Sequence, residues 1–337
     1  MSISVLGIDI GKNSFHLYGV DQDGNKTIRK KLSRKNLVEY VANIEPCLIA
    51  MEACGGAHCL ARQFQFYGHE VKLISPQFVK PYVKTNKNDY NDAEAISEAV
   101  TRPRMRFVPV KSSEQQSWQF LHRFRQQAVE QRTALVNQIR GALLEEGITI
   151  AQGAGKLRTH LPRILEDAEN GLHDLTRSLI HGLSEQLENL DSRIKGYDEQ
   201  IQELAQQEET CRLLMTMPGV GAVIATAMVA AVGNPTNFQS GRHLAAWLGL
   251  VPRQHSTGGT PKLLGISKRG DKYLRTLLIH GARSVLHRLK NQDDRCKKWV
   301  TQLNARSHNN VAAVGLANKM ARIAWVLMTK GEVYKAA

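Results

Sequence analysis

The sequence has no Cys-x-x-Cys pair, and its five cysteines are odd in number. That pattern argues against a disulfide framework and against a zinc knuckle. Cys54, His58 and Cys59 lie close together, but no second ligand cluster accompanies them, as a zinc site would need. No apolar run reaches the ~18 residues of a membrane span, and the N-terminus lacks the basic and apolar blocks of a secretory signal. A cytoplasmic protein is expected. Acidic residues are scarce in one region only. Residues 1–110 carry 15 Lys and Arg against 11 Asp and Glu, a net +4, and residues 111–211 carry 11 against 16, a net −5. Residues 212–337 carry 19 against 4, a net +15. A cation excess confined to the last third implies a polyanionic partner there. Nucleic acid fits better than membrane, because no long basic helix with an aromatic face is present.

With 42% hydrophobic and 23% charged residues over 337 positions, the chain is globular and long enough for two or three units. The first, 1–110, reads as α/β. Ser4 to Val20, SVLGIDIGKNSFHLYGV, is an apolar strand built on Val5, Leu6 and Ile8, a turn at Gly11–Ser14, and a second strand from Phe15 to Val20. Thr27–Leu32 predicts a third strand, Arg34–Asn43 a helix, and Cys47–Met51 a wholly apolar strand ending at Glu52. A helix over His58–Tyr67, a strand over Val71–Ile74, a polar connector over Lys80–Asn91 and a helix over Asp92–Val100 follow.

Asp9 is out of place inside an apolar strand, because Asp is depleted in strands and costly to bury without a partner. It is either a metal ligand or phosphate-facing group, or a hairpin Asp at a solvent edge. Asp89 and Asp92 stand three apart, so both reach one helix face. Alone, Asp89 as N-cap with Asp92 in the first turn is ordinary helix-start chemistry. Taken with Asp9 and Glu52, they are what an open sheet could gather at one edge to hold a divalent metal.

Residues 111–211 read as a helical arm. One helix covers Ser112–Glu146, and Ala151–Asn170 is a hinge or loop. A second long helix covers Leu172–Glu209, with a 3-4 spaced coiled-coil seam from Ile180 to Leu204 that folds back on the first helix or pairs with another subunit. Residues 212–337 open on Leu213–Gly233, where the turn Pro218–Gly221 suits either a helix-hairpin-helix facing phosphate or tight packing through small residues. An apolar helix over His243–Val251 leads to a Gly-rich loop carrying Ser256. Arg253 and His255 precede that serine, and Lys262, Lys268, Arg269, Lys272 and Arg275 follow it. A hydroxyl ringed by cations is suited to attack on phosphorus. The remaining helices are Tyr273–Lys290 and Val311–Met328.

GIDIGK, MEACGG, KNDYNDAEAI, MPGVG, LAAWLGLVPRQHSTGG and GISKRGDKYLRTLLIHGARS occur in that order and together resemble the insertion-sequence one-ten family of transposases, within it the eleven-eleven subgroup. The resemblance implies a RuvC-like (ribonuclease H) N-terminal domain whose Asp9, Glu52, Asp89 and Asp92 bind Mg2+. It implies a mostly α C-terminal transposase domain with a serine nucleophile, carried over to Ser256, although Thr257 intervenes before Gly258 and stays a candidate. It also implies a coiled-coil arm for assembly as a dimer to tetramer, action on donor and target DNA at the nucleoid, and a guide RNA encoded by the same element. Three other readings compete. An actin-like ATPase would need a second phosphate loop that is not found; a Holliday-junction nuclease would use water in place of Ser256; an architectural DNA-binding protein would leave the carboxylates idle.

Overall fold

Alternation along one strand, Val5–Ile10 (β1), sets up the first unit. Leu6 and Ile8 go to one side of a sheet, and Val5, Gly7 and Asp9 to the other. Ser14–Val20 (β2) returns antiparallel to β1, and Lys26–Ser33 (β3) antiparallel to β2. Arg34–Ala42 (α1) carries the chain across to Leu48–Glu52 (β4), which pairs parallel with β1; Ala57–Phe66 (α2) leads to Glu70–Ile74 (β5), parallel to β4. Parallel neighbours need such crossovers. Pro76–Val79 (α3) and Asp89–Val100 (α4) follow, and Phe107–Val108 (β6) closes the order β3-β2-β1-β4-β5-β6. β1 is therefore interior, which removes the reading of Asp9 as a residue of a solvent edge.

Leu6, Ile8, Phe15 and Leu17 pack with Leu37 of α1 and Leu60 and Phe64 of α2, and on the other face Val5, Ala50 and Ile74 pack with Ala95, Ile96 and Ala99 of α4. Each large side chain so buried contributes about 1.5–3 kcal/mol at most. Gly7 lets α4 come close: a Cβ there would stand 2.3 Å from the Ala93 carbonyl oxygen and 2.8 Å from the Ser97 nitrogen. α4 starts at Asp89, three residues before the expected Asp92. Its N-cap is Asn88, whose side chain accepts from the Tyr90 N–H at 3.0 Å, so Asp89 is not the cap but the first helical residue.

The computed structural model describes residues 2–84, 88–288 and 295–335. They divide into two compact units, 1–116 and 117–337. In the second, Asp174–Gln207 (α7) runs antiparallel to Ser113–Glu145 (α5), whose residues from 117 onward belong to this unit, joined by Arg125 Nε to Asp198 Oδ1 at 2.5 Å, Arg132 Nη1 to Asp191 Oδ1 at 3.3 Å, and Thr176 Oγ1 to Glu146 Oε1 at 2.9 Å. The heptad positions Ile180, Leu187, Ile194 and Ile201 are all buried, and Ile180 and Leu187 pack with Leu135, Ile139 and Leu143 of α5. The segment expected as a loop, Ala151–Asn170, contains a helix instead, Ala154–Glu166 (α6). Leu157 and Leu161, one turn apart, are buried in the same cluster, and that burial outweighs the weak local pattern. Glu208, in extended conformation, separates α7 from a further helix, Glu209–Met215 (α8), where a single helix to Glu209 is expected.

Ala222–Val232 (α9), Gly241–Trp247 (α10), Pro252–Thr257 (β7), Thr260–Ile266 (β8), Lys272–His287 (α11), Arg295–Arg306 (α12) and Asn309–Lys330 (α13) complete the chain. Leu214, Met228, Leu244, Leu278, Leu316 and Met320 centre their shared core. α10 stops four residues short of the expected Val251, and Lys290, the expected end of α11, lies outside the described residues. α12 escapes sequence reading because its apolar positions, Trp299, Val300 and Leu303, are few among cations. The 22-residue α13 is apolar and long enough to cross a membrane by length and composition, against the expectation that no such stretch exists. Its buried Ala313, Leu316, Ala317, Met320, Ala324 and Leu327 recur at helical spacing and belong to a protein core.

Candidate active site

The ends of the adjacent parallel strands β1 and β4 place two acids side by side. Ile8 pairs with Met51, so Asp9 and Glu52 are the next residues along each strand. α4, held against β1 at Gly7, brings the first-turn acids Asp89 and Asp92 to the same place. Asp9 and Glu52 feel the charges around them. Burial holds the Asp9 carboxyl above its usual range, and the charges of Asp92 and Asp89 push it further, against a smaller opposing effect of His16. Glu52 is also raised, by burial first and then by Asp9 and Asp92. Asp9 and Glu52, with their ionised forms disfavoured, suit a bound cation, and the oxygen ligands of the four carboxylates suit a hard divalent one. Asp89 keeps 61% of its side chain exposed, leaving the centre accessible from solvent.

His16 belongs to this centre and was not foreseen. It faces Asp9 across the β1–β2 pair, is buried, and has Nδ1 3.5 Å from Asp89 Oδ2. Asp9, His16 and Asp89 offer ligand atoms all within 4.8 Å of one another. The sequence held a signal: positions 9 and 16 are equidistant from the turn at Lys12-Asn13, so a tight hairpin makes them partners. Tyr90 packs edge-on against the His16 ring at 4.7 Å, fixing its plane. Cys54 lies nearby with its thiol pushed up by burial and then by Glu52 and Asp9, so it stays protonated. His58 is committed elsewhere, accepting from the Lys111 N–H at 3.2 Å, which leaves the Cys54, His58, Cys59 grouping without its imidazole.

The hydroxyl expected on a loop is in a strand. Ser256 sits in β7 opposite Pro261, and Gly258 and Gly259, at φ +57° and +77°, make the two-residue turn to β8. All six β7 side chains are exposed, so no apolar alternation marks the strand in the sequence. Ser256 Oγ accepts from Gln254 Nε2 at 2.7 Å. His255 and Lys262 are cross-strand partners, and Arg253, Lys268, Arg269 and Lys272 are exposed on or beside the hairpin. Arg275 departs from its expected place among the phosphate contacts. It is buried, with Nη1 donating to the Leu248 and Arg269 carbonyls, both at 3.0 Å. Gly219 of the Pro218–Gly221 turn abuts the Gly281 backbone of α11, so packing takes that part of the turn.

An acidic centre at the parallel-strand ends of a mixed sheet defines a class of protein suited to metal-assisted phosphoryl transfer. The comparisons with known proteins narrow the class. A transposase profile of the Asp-Glu-Asp-Asp type, named for IS110, matches residues 6–147, and the description "Transposase IS116/IS110/IS902 family" matches residues 211–297. The chain is 45% identical to the transposase for insertion sequence element IS1111A of Coxiella burnetii, over 99% of this chain and 92% of that one. It is 44% identical to the transposase for insertion sequence element IS1328 of Yersinia enterocolitica, over 99% of both. The protein belongs to the IS116/IS110/IS902 family of transposases, and so is an enzyme that cleaves and rejoins DNA.

Proposed function

We propose that this transposase moves an insertion sequence through a covalent serine–DNA intermediate, in three functional regions, 1–110, 111–211 and 212–337. The observation that carries the reading is the convergence of Asp9, Glu52, Asp89 and Asp92, which would hold Mg2+ in a RuvC-like domain. The bound ion would supply charge neutralisation on the transferring phosphoryl group. Ser256 Oγ forms a bond to phosphorus as one phosphorus–oxygen bond to deoxyribose breaks, the serine proton leaves, and the freed deoxyribose oxygen takes one up. A second strand's hydroxyl then reverses the exchange, so bond energy is kept and no nucleotide cofactor is needed. Arg253, Lys262, Lys268, Arg269 and Lys272, exposed around the hairpin, hold donor and target DNA. An RNA encoded by the element selects both DNAs, the α5–α7 arm joins two to four copies, and the reaction proceeds on the nucleoid in the cytoplasm.

Peptide mapping of the protein–DNA adduct trapped in denaturing gel tests the reading. Adduct and recombination are both expected to vanish in Ser256→Ala and to persist in part in Thr257→Ala. A linkage at Thr257, or recombination by Ser256→Ala without any adduct, as a water-using junction nuclease would show, overturns it.

A further inference from the structure

The sheet face that carries the carboxylates continues onto β3. Asp9 pairs with His16 and His16 with Lys31; one step along, Gly7 pairs with Tyr18 and Tyr18 with Arg29. Cross-strand partners share a face, so Lys31 and Arg29 project on the same side as Asp9. α4 packs over β1 and β2 on this side, and beyond it Arg29 and Lys31 are exposed. Arg29 is held in place: its guanidinium lies 4.4 Å over the Tyr90 ring, which in turn packs against His16 beside Asp89. Lys30 and Arg34 turn to the opposite side, Lys30 over Tyr40 at 4.5 Å and Arg34 over Phe15 at 5.1 Å. Lys26, Arg29, Lys30, Lys31, Arg34 and Lys35 occur with no Asp or Glu between Asp23 and Glu39. Edge strands carry lysines simply to block strand pairing, but that role needs neither a fixed guanidinium nor a shared face with an acidic centre.

We propose that Arg29 and Lys31 form a phosphate-gripping shelf that feeds a nucleic-acid strand into the carboxylate centre; this rests on the reading of that centre as the cutting site. β3 is two strands from β1, about 10 Å at the usual spacing. The shelf therefore holds phosphates neighbouring the scissile one and leaves the scissile phosphate to the carboxylates and their metal. The partner is a phosphodiester backbone, of DNA or RNA.

The test compares two double variants of the full chain that lose equal charge from opposite faces, Arg29→Gln with Lys31→Gln and Lys30→Gln with Arg34→Gln. Binding is measured from low to high salt, without divalent metal, to a single-stranded DNA, its duplex and an RNA of the same sequence. Two lost phosphate contacts lower the log-log salt slope by about 1.4 on single strands and about 1.8 on duplex. The first double variant is expected to show that fall on at least one ligand, identifying the strand held, while the second keeps the parent slope. Unchanged slopes in the first, or equal falls in both, overturn the shelf. Failure of the cutting-site reading has a separate sign, recombination retained by Asp9→Asn, and leaves the difference in slopes standing.

Discussion

The two chemical regions of this transposase are built on opposite principles. The acidic centre is drawn from four elements, is half-buried, and depends on contacts between residues as distant as Asp9 and Asp92. The Ser256 hairpin is local and exposed on every β7 residue, and its serine has one neighbouring side chain, Gln254, as hydrogen-bond partner. A cation site needs several ligands held in place before the metal arrives, and only a folded core does that. For the nucleophile proposed at Ser256, standing clear of the core would ease its approach to a phosphate on a bulky polymer.

The largest contrast is expected in activity against affinity. Asp9→Asn should lower metal-dependent recombination by more than the ~100-fold typical of second-shell changes, and weaken metal binding in calorimetry, with DNA binding retained. Recombination within tenfold of the parent would take Asp9 out of the centre. In the arm, Leu187 is 2% exposed against α5, so Leu187→Asp should destabilise by at least the roughly 2–5 kcal/mol of a Leu→Ala change. A folded variant with altered mass in light scattering would instead put Leu187 in a contact between subunits.

Backbone substitutions should separate the regions by a smaller margin. Gly7→Ala forces α4 away from β1, which we expect to cost about 1–3 kcal/mol and to weaken metal binding as well. Gly258→Ala meets no neighbouring atom and carries only the cost of its positive φ, about 1 kcal/mol, with metal binding untouched. Equal metal affinity in the two variants would contradict the role given to α4. Ser256→Ala, on an exposed strand, should change stability by no more than about 0.5 kcal/mol.

The smallest effect is in pH. Asp9 and Glu52 have raised values in the folded chain, against ordinary ones of 3.8 and 4.5. The folded state therefore holds these protons more tightly than the unfolded one. Their contribution favours folding below the ordinary values and is lost as pH rises through the raised ones. Metal-free melting temperature should fall over that interval, more in the parent than in Asp9→Asn, and added Mg2+ should flatten the difference. An identical profile in parent and variant would show that the charges do not meet.

Much of the sheet was legible because burial on one or both faces writes itself into β1, β2, β4 and β5 as apolar residues. Asp9 and Glu52 stood out for the same reason: an ionisable group at the end of an apolar strand has few structural uses, whereas Asp89 and Asp92, in the first turn of α4, gain meaning only beside them. His16 did not stand out, since its place depends on hairpin register and not on the residues around it. β7 was hidden by having no buried face at all. α6 was hidden by having its apolar face spread thinly over Leu157, Leu161 and their partly buried neighbours, and its packing partners lie on α5 and α7.

Gly7 bears on how decayed copies of mobile elements are recognised. A copy whose codon 7 has drifted to any residue with a side chain still spells Asp9, Glu52, Asp89 and Asp92 in full, yet its Cβ would press to 2.3 Å from the Ala93 carbonyl oxygen. Surveys that score copies as active by their intact acids would count it among the living, while the helix bearing two of those acids no longer lies where the other two need it.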